Sequence, residues 1–194
     1  AIDEYSLDLT EGAAEADLII LCTPVQLVVP TLEAMAPSLK PGAIVTDAGS
    51  TKREIVEQAE PALPEGVTFI GGHPMAGSEQ TGVNAARPDL FQGATYVLTP
   101  GRNTDLEALG RMSEFAGALG ARVEVLSPAE HDEAVAVISH LPHAIASALM
   151  QLAEESQRHT GKTFQLAAGS FRDLTRIADS SPELWRDICV TNAD

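Results

Sequence analysis

The run VTFIGGHPMAGSE at positions 67–79 sets the reading of the whole chain. Val67-Thr68-Phe69-Ile70 is short, β-branched and apolar, which predicts a buried strand. Two glycines follow, then a histidine held by a proline. Glycines at that point suit a sharp turn at a strand end. Histidine is the side chain whose ordinary pKa lies nearest neutrality. Strand ends are where open α/β sheets place their chemistry. His73 is therefore either a turn residue or a catalytic acid–base group, and the surrounding pattern must choose.

Outward from this run, four more segments read as buried strands: 17–22, 43–47, 95–99 and 122–126. The first three strands of the five are apolar on both faces, as in a parallel sheet covered by helices. Helix-start signals lie between them. Thr23-Pro24-Val25-Gln26 offers a cap, a first-turn proline and a glutamine. Thr51-Lys52-Arg53-Glu54 and Thr104-Asp105-Leu106-Glu107 have the capping-box form. Leu106, Leu109, Met112, Phe115 and Leu119 recur at helical spacing and predict a core stripe. Residues 73–94 lack periodicity and suit an active-site insertion. Strands alternating with helices imply βαβ units and a mostly parallel sheet.

At Ser127-Pro128-Ala129-Glu130 the character changes. A complete helix-start signal opens a region with no convincing strand. Residues 129–157 read as one long helix or a pair kinked at Pro142. The expected architecture is a partial Rossmann-like α/β dinucleotide-binding domain over 1–127, then an all-α substrate-binding and dimerisation domain over 128–194.

Composition narrows the partners. The 194 residues carry a formal net charge of -16. That charge argues against nucleic acid and against an anionic membrane surface. No apolar run approaches membrane-spanning length and no signal peptide opens the chain. Two cysteines, Cys22 and Cys189, form neither a disulfide framework nor a zinc site. A cytoplasmic location fits. Cys22 lies in an apolar run and reads as a small core residue.

Three chemistry-bearing positions converge. Thr23, Ser50 and His73 each follow a strand of the parallel set, so all fall at one carboxyl edge. Gly49-Ser50 and Thr23-Pro24 precede helices whose free N–H groups favour polar ligands. Farther on, His140 and His143, three residues apart, share a helix face. A metal site combining His73 with His131, Asp132, His140 and His143 matches no specific ligand spacing, so no metal is expected. Among twelve basic residues, Arg172 and Arg176 stand beside an apolar stretch. Arginine grips carboxylates bidentately. Arg172 reads as a partner of Asp173 or Asp179, and Arg176 as the anion binder.

Taken together, TDAGSTK (46–52), GGHPMAGSE (71–79), LFQGATYVLTP (90–100), EHDEAVAVISHLPH (130–143) and GSFRDLTRIADSSPELW (169–185) resemble the prephenate/arogenate dehydrogenase family of tyrosine biosynthesis. The resemblance implies NAD-dependent oxidative decarboxylation of prephenate to 4-hydroxyphenylpyruvate, with arogenate and NADP as the alternatives. It implies a homodimer. It makes His73 the base and places Ser50 beside the reacting hydroxyl. His143, Arg176, His140, Glu79 and Trp185 fall at substrate-pocket positions. Thr23, Pro24, Gly49 and Ser50 fall at cofactor positions. One departure stands out: the family's opening strand and Gly-x-Gly-x-x-Gly turn have no counterpart here, and the first glycine is Gly12. The chain is thus expected to be the middle of a longer enzyme. Other readings are a β-hydroxyacid-type or imine-reducing dehydrogenase, or a non-catalytic dimerisation module.

Overall fold

A computed structural model describes residues 2–77 and 85–193. Its strands are β1 (Leu18–Leu21), β2 (Ile44–Asp47), β3 (Thr68–Pro74), β4 (Thr95–Pro100) and β5 (Arg122–Val125), in spatial order β1-β2-β3-β4-β5. All five lie where the runs placed them, but β5 is largely exposed and not buried, because it is the edge strand of the sheet. β1, β2 and β3 are parallel, with Ile44 opposite both Leu18 and Thr68. β4 runs antiparallel to β3, and β5 parallel to β4. Thr23, Ser50 and His73 accordingly sit at one carboxyl edge of the parallel set.

Side-chain alternation along the strands splits the core into two layers. Val45 and Phe69 face α2 (Val25–Met35) and α3 (Arg53–Ala62), packing with Val28, Leu32, Ile55 and Val56. Ile44 and Ile70 face the other way, against Met112 and Ala116 of α4 (Leu106–Ala118). Leu32, Val45, Ile70 and Leu98 are fully enclosed. Each such side chain contributes about 1.5–3 kcal/mol by leaving water. A short α1 (Leu9–Ala14), capped by Asp8, precedes the sheet.

Several local expectations are corrected. The α4 core stripe is Ala108-Met112-Ala116, and Leu106 is 81% exposed. The helix begins one residue later than the capping-box reading of 104–107: Asp105 caps it, while Thr104 accepts from Gly101 N–H. Cys22 is exposed, because it lies beyond the last buried residue of β1. Gly71 and Gly72 do not form a turn: they lie inside β3, and neither has positive φ. They are needed for close approach. A Cβ on Gly71 would sit 2.2 Å from Thr99 Oγ1, and one on Gly72 would sit 2.5 Å from the Asp47 carbonyl oxygen.

Beyond β5 the described residues are helical. Ser127 and Glu130 form the full capping box at the start of α5 (Pro128–Val135). A π turn over Ala136–His140 leads straight into α6 (Leu141–Thr160). Pro142 is thus tolerated without a break, since the widened turn upstream absorbs its missing N–H and bulky ring. The continuous helix Pro128–Thr160 has a window long and apolar enough to cross a membrane by length and composition. No unbroken apolar run signals this, because Ser139, His140 and His143 interrupt the stretch. Two shorter helices follow: α7 (Gly169–Thr175) packs on α6, and α8 (Pro182–Thr191) returns to the sheet edge, where Thr191 Oγ1 meets Thr51 Oγ1 at 2.9 Å.

Candidate active site

The chemistry gathers where the carboxyl edge of β2 and β3 meets the helical region. Its foundation is a buried ion pair. Asp47, at the end of β2, and Lys52, before α3, are both 0% exposed and joined by a salt bridge. Asp47 also accepts from Gly49 N–H at 2.8 Å and Gly72 N–H at 3.1 Å. Burial pulls the Lys52 pKa down while Asp47 opposes it. A buried charge persists only when paired and hydrogen-bonded, and Asp47 meets both conditions for Lys52.

The second element is a tertiary cap. Thr51 was the expected cap of α3, but its hydroxyl is turned to Thr191. The free N–H groups of Lys52 and Arg53 instead donate to the two carboxylate oxygens of Asp132, at 2.8 and 2.9 Å. Burial pushes the Asp132 pKa up, yet the His131 hydrogen bond and these two amides outweigh it and hold the carboxyl below its ordinary value.

His73 projects from β3 above this base. Its Nδ1 lies 2.8 Å from His131 Nε2, with the rings edge to face at 5.0 Å. His131 Nδ1 lies in turn 2.7 Å from Asp132 Oδ1. Burial, then the Lys52 charge, His131 and His140 push the His73 pKa down to about 3, against the pull of Asp132. His73 is therefore a neutral imidazole throughout the physiological range, as a general base must be.

The helical side supplies an aromatic and imidazole wall. His143 stacks on Trp185 with centroids 3.6 Å apart and planes 11° apart, while His140 meets the same indole edge-on at 5.9 Å. The helical spacing of the two histidines brings them to one ring, as their sequence spacing predicts. Burial lowers both imidazole pKa values; for His143 a hydrogen bond to the Ile177 backbone opposes this. Asn192 Nδ2 donates to the Asp132 carbonyl at 2.9 Å and approaches His140 Nδ1 at 3.2 Å. His143 Nε2 is buried and has no protein partner among the described residues.

Arg176 is exposed on a 3-10 turn over Arg176–Ala178. Arg172 forms no ion pair with Asp173 or Asp179 among the described residues, contrary to its structural assignment. Glu79 lies outside the described residues. Thr23 follows β1, and its Oγ1 is buried without a partner among the described residues. Pro24 begins α2. Gly49 is buried, and a Cβ there would meet Asp47 Oδ2 at 2.8 Å. Ser50 is half-buried beside it. No group of three or more metal-ligating side chains forms among the described residues.

Sequence reasoning left Asp47 and Asn192 without roles, read Lys52 only as part of a helix start, and weighed His131 and Asp132 only as metal ligands. Asp47 and Lys52 bracket Gly49-Ser50, so their motif was visible. Their pairing was not, because it depends on the turn between them.

Residues 1–125 match the model of the nucleotide-binding domain of prephenate dehydrogenase, and residues 127–194 that of its dimerization domain. The chain is 42% identical over its full length to the prephenate dehydrogenase of Bacillus subtilis (strain 168), of which it covers 52%. A structure of prephenate dehydrogenase from Aquifex aeolicus, in complex with hydroxyphenyl propionate and NAD+, superimposes with a TM-score of 0.88 at 35% identity, covering 99% of this chain and 67% of that one. The arogenate dehydrogenase of Synechocystis gives 0.83 at 41% identity, covering 99% and 68%. The chain spans about half the length of the Bacillus relative. With both domain models matched in order along a fold that carries His73, His143 and Trp185 at one edge, the chain belongs to the prephenate dehydrogenase family.

Proposed function

We propose that this chain forms the catalytic centre of an NAD-dependent dehydrogenase that converts prephenate to 4-hydroxyphenylpyruvate and carbon dioxide. The observation that carries this reading is His73: a neutral imidazole at the sheet edge, beside a wall of His140, His143 and Trp185. In this reaction His73 takes the proton of the C4 hydroxyl. The O–H bond breaks and an N–H bond forms on the imidazole. A bound NAD would supply the acceptor for the hydride that leaves C4. Loss of the ring carboxylate as carbon dioxide returns its bonding pair to the ring, which becomes aromatic.

The residues fit the cofactor's reactive end. The buried Thr23 hydroxyl, without a partner among the described residues, calls for a polar ligand atom, and Gly49 has no room for a Cβ. Thr23, Pro24, Gly49 and Ser50 would hold that end, with Ser50 also beside the substrate hydroxyl. Arg176 and His143 bind the substrate, Arg176 through a carboxylate. Trp185 and His140 shape the pocket, and Glu79 borders it.

Two domains divide this work, with the boundary at residue 127. The cytoplasm is the proposed location. The helical part pairs with a second copy. Ile138 in the π turn and Leu141, Ile145 and Leu152 in α6 leave an exposed apolar stripe, which suits a symmetric partner. Sedimentation of the full-length protein as a monomer at micromolar concentration would remove the dimer.

Arogenate is the second reading, favoured by the similarity to the Synechocystis enzyme. The test is turnover by the full-length protein of prephenate and arogenate, each with NAD and with NADP. The expected result is NADH formation with prephenate. Activity with arogenate alone would select the second reading, and no reduced cofactor with either substrate would overturn both.

A further inference from the structure

We propose that His131 and Asp132 are positioning residues that fix which nitrogen of His73 carries a proton, so that its Nε2 is presented to substrate as the base. The inference rests on His73 acting as the base in the reading above.

Three groups stand in line: His73 Nδ1 to His131 Nε2 at 2.8 Å, and His131 Nδ1 to Asp132 Oδ1 at 2.7 Å. The direction of this chain follows from its far end. Asp132 is held ionised, and both its oxygens already accept from the amides of Lys52 and Arg53. A carboxylate can only accept, so His131 Nδ1 must donate. We place a single hydrogen on that ring, on the nitrogen facing Asp132, which makes Nε2 the acceptor. It can meet His73 Nδ1 only if that nitrogen bears the hydrogen. His73 is itself neutral, so its Nε2 is left with the lone pair.

Burial makes this ordering rigid. His131 and Asp132 are each 1% exposed, so neither can exchange its partner for water. Asp132 cannot turn without uncapping α3. The second nitrogen of a functional histidine commonly sets the tautomer in this way. When His73 Nε2 takes the substrate proton, the new positive charge lies on a ring whose Nδ1–H already points through His131 toward the Asp132 carboxylate. The proton stays on His73, and no bond need break in the relay. The arrangement also offsets the nearby Lys52 cation, which opposes charging of His73.

The test falls on His131, because Asp132 also closes α3 and its replacement would mix two effects. Long-range nitrogen–proton correlation spectra of the histidine rings in the full-length protein report the tautomer of His73 directly. The expected result is a single neutral form with hydrogen on Nδ1. His131→Gln keeps an acceptor oxygen near the place of Nε2. It should preserve that form and hold kcat within a few-fold. His131→Phe removes the acceptor. It should leave His73 as a mixture of tautomers and lower kcat about 10²-fold, within the usual weight of general-base catalysis, at unchanged KM. Hydrogen on Nε2 of His73 in the unaltered protein overturns the proposal. So does folded His131→Phe protein with unaltered tautomer and kcat. If the spectra show the Nδ1–H form and neither prephenate nor arogenate is turned over, the dehydrogenase reading fails and the ordering of the three groups stands.

Discussion

Asp132 closes the N-terminus of a helix eighty residues earlier in the chain: its Oδ1 accepts the backbone N–H of Lys52 at 2.8 Å. The same oxygen receives His131 Nδ1. One carboxylate thus locks the helical region to the sheet and orients the imidazole that touches His73. Stability and chemistry meet at a single side chain, which shapes how variants here will read.

Replacing His73 with Asn should leave the fold intact, since the amide fits the same space at the edge of β3. Without a base, kcat should fall by about 10²–10⁴-fold. Steady-state kinetics of full-length His73→Asn check this, and turnover at the unaltered rate would sink the assignment.

Arg176→Ala should raise KM for prephenate by tens-fold or more. Losing a charge-assisted contact costs about 2–5 kcal/mol when the partner charge stays buried. Arg172→Ala should be milder. Measuring KM for substrate and for cofactor in both variants decides between the arginines, and a larger substrate effect from Arg172→Ala reverses them.

Gly72→Ala should disturb the site although alanine suits a strand better than glycine. The new methyl would lie 2.5 Å from the Asp47 carbonyl oxygen and 2.7 Å from Thr46 Oγ1. The carbonyl belongs to the neighbouring strand and can yield only by parting β2 from β3. Destabilisation of about 1–3 kcal/mol is expected, as for overpacking in a core. A denaturation midpoint equal to that of the unaltered protein would show that the strands yield freely.

Acid should destabilise this protein through His73. Its folded-state pKa is depressed from 6.5 to about 3, so below pH 6.5 the unfolded chain binds the proton and the folded one does not. The contribution is fully present above pH 6.5 and is lost as pH falls toward 3. The slope reaches at most about 1.4 kcal/mol per pH unit. His140 and His143, also shifted down, act in the same direction. Urea denaturation between pH 4.5 and 7 should show a shallower pH slope for His73→Asn, and an identical slope would count against the shift.

The sequence alone determined what depends on near neighbours. Five short runs marked five strands; for β1, β2 and β3 the signal was apolar residues at successive positions, as a sheet covered on both faces demands. Ser127 and Glu130 marked the start of α5, because a capping box closes within four residues. The carboxyl-edge placement of Thr23, Ser50 and His73 followed from strand order, and the shared contact of His140 and His143 with Trp185 from helical spacing.

Tertiary structure decided whatever joins distant segments. Thr51 had the right local chemistry to cap α3 and lost the place to Asp132. A carboxylate delivered by folding satisfies two amides at once, where a hydroxyl satisfies one. Gly71-Gly72 had the signature of a turn and serves instead as a gap, since what a glycine leaves room for depends on the strand beside it. The neutral state of His73 is likewise set by burial and then by Lys52, His131 and His140, against the pull of Asp132. Electrostatic energy depends on distance in space, and 58 residues separate His73 from the imidazole 2.8 Å away.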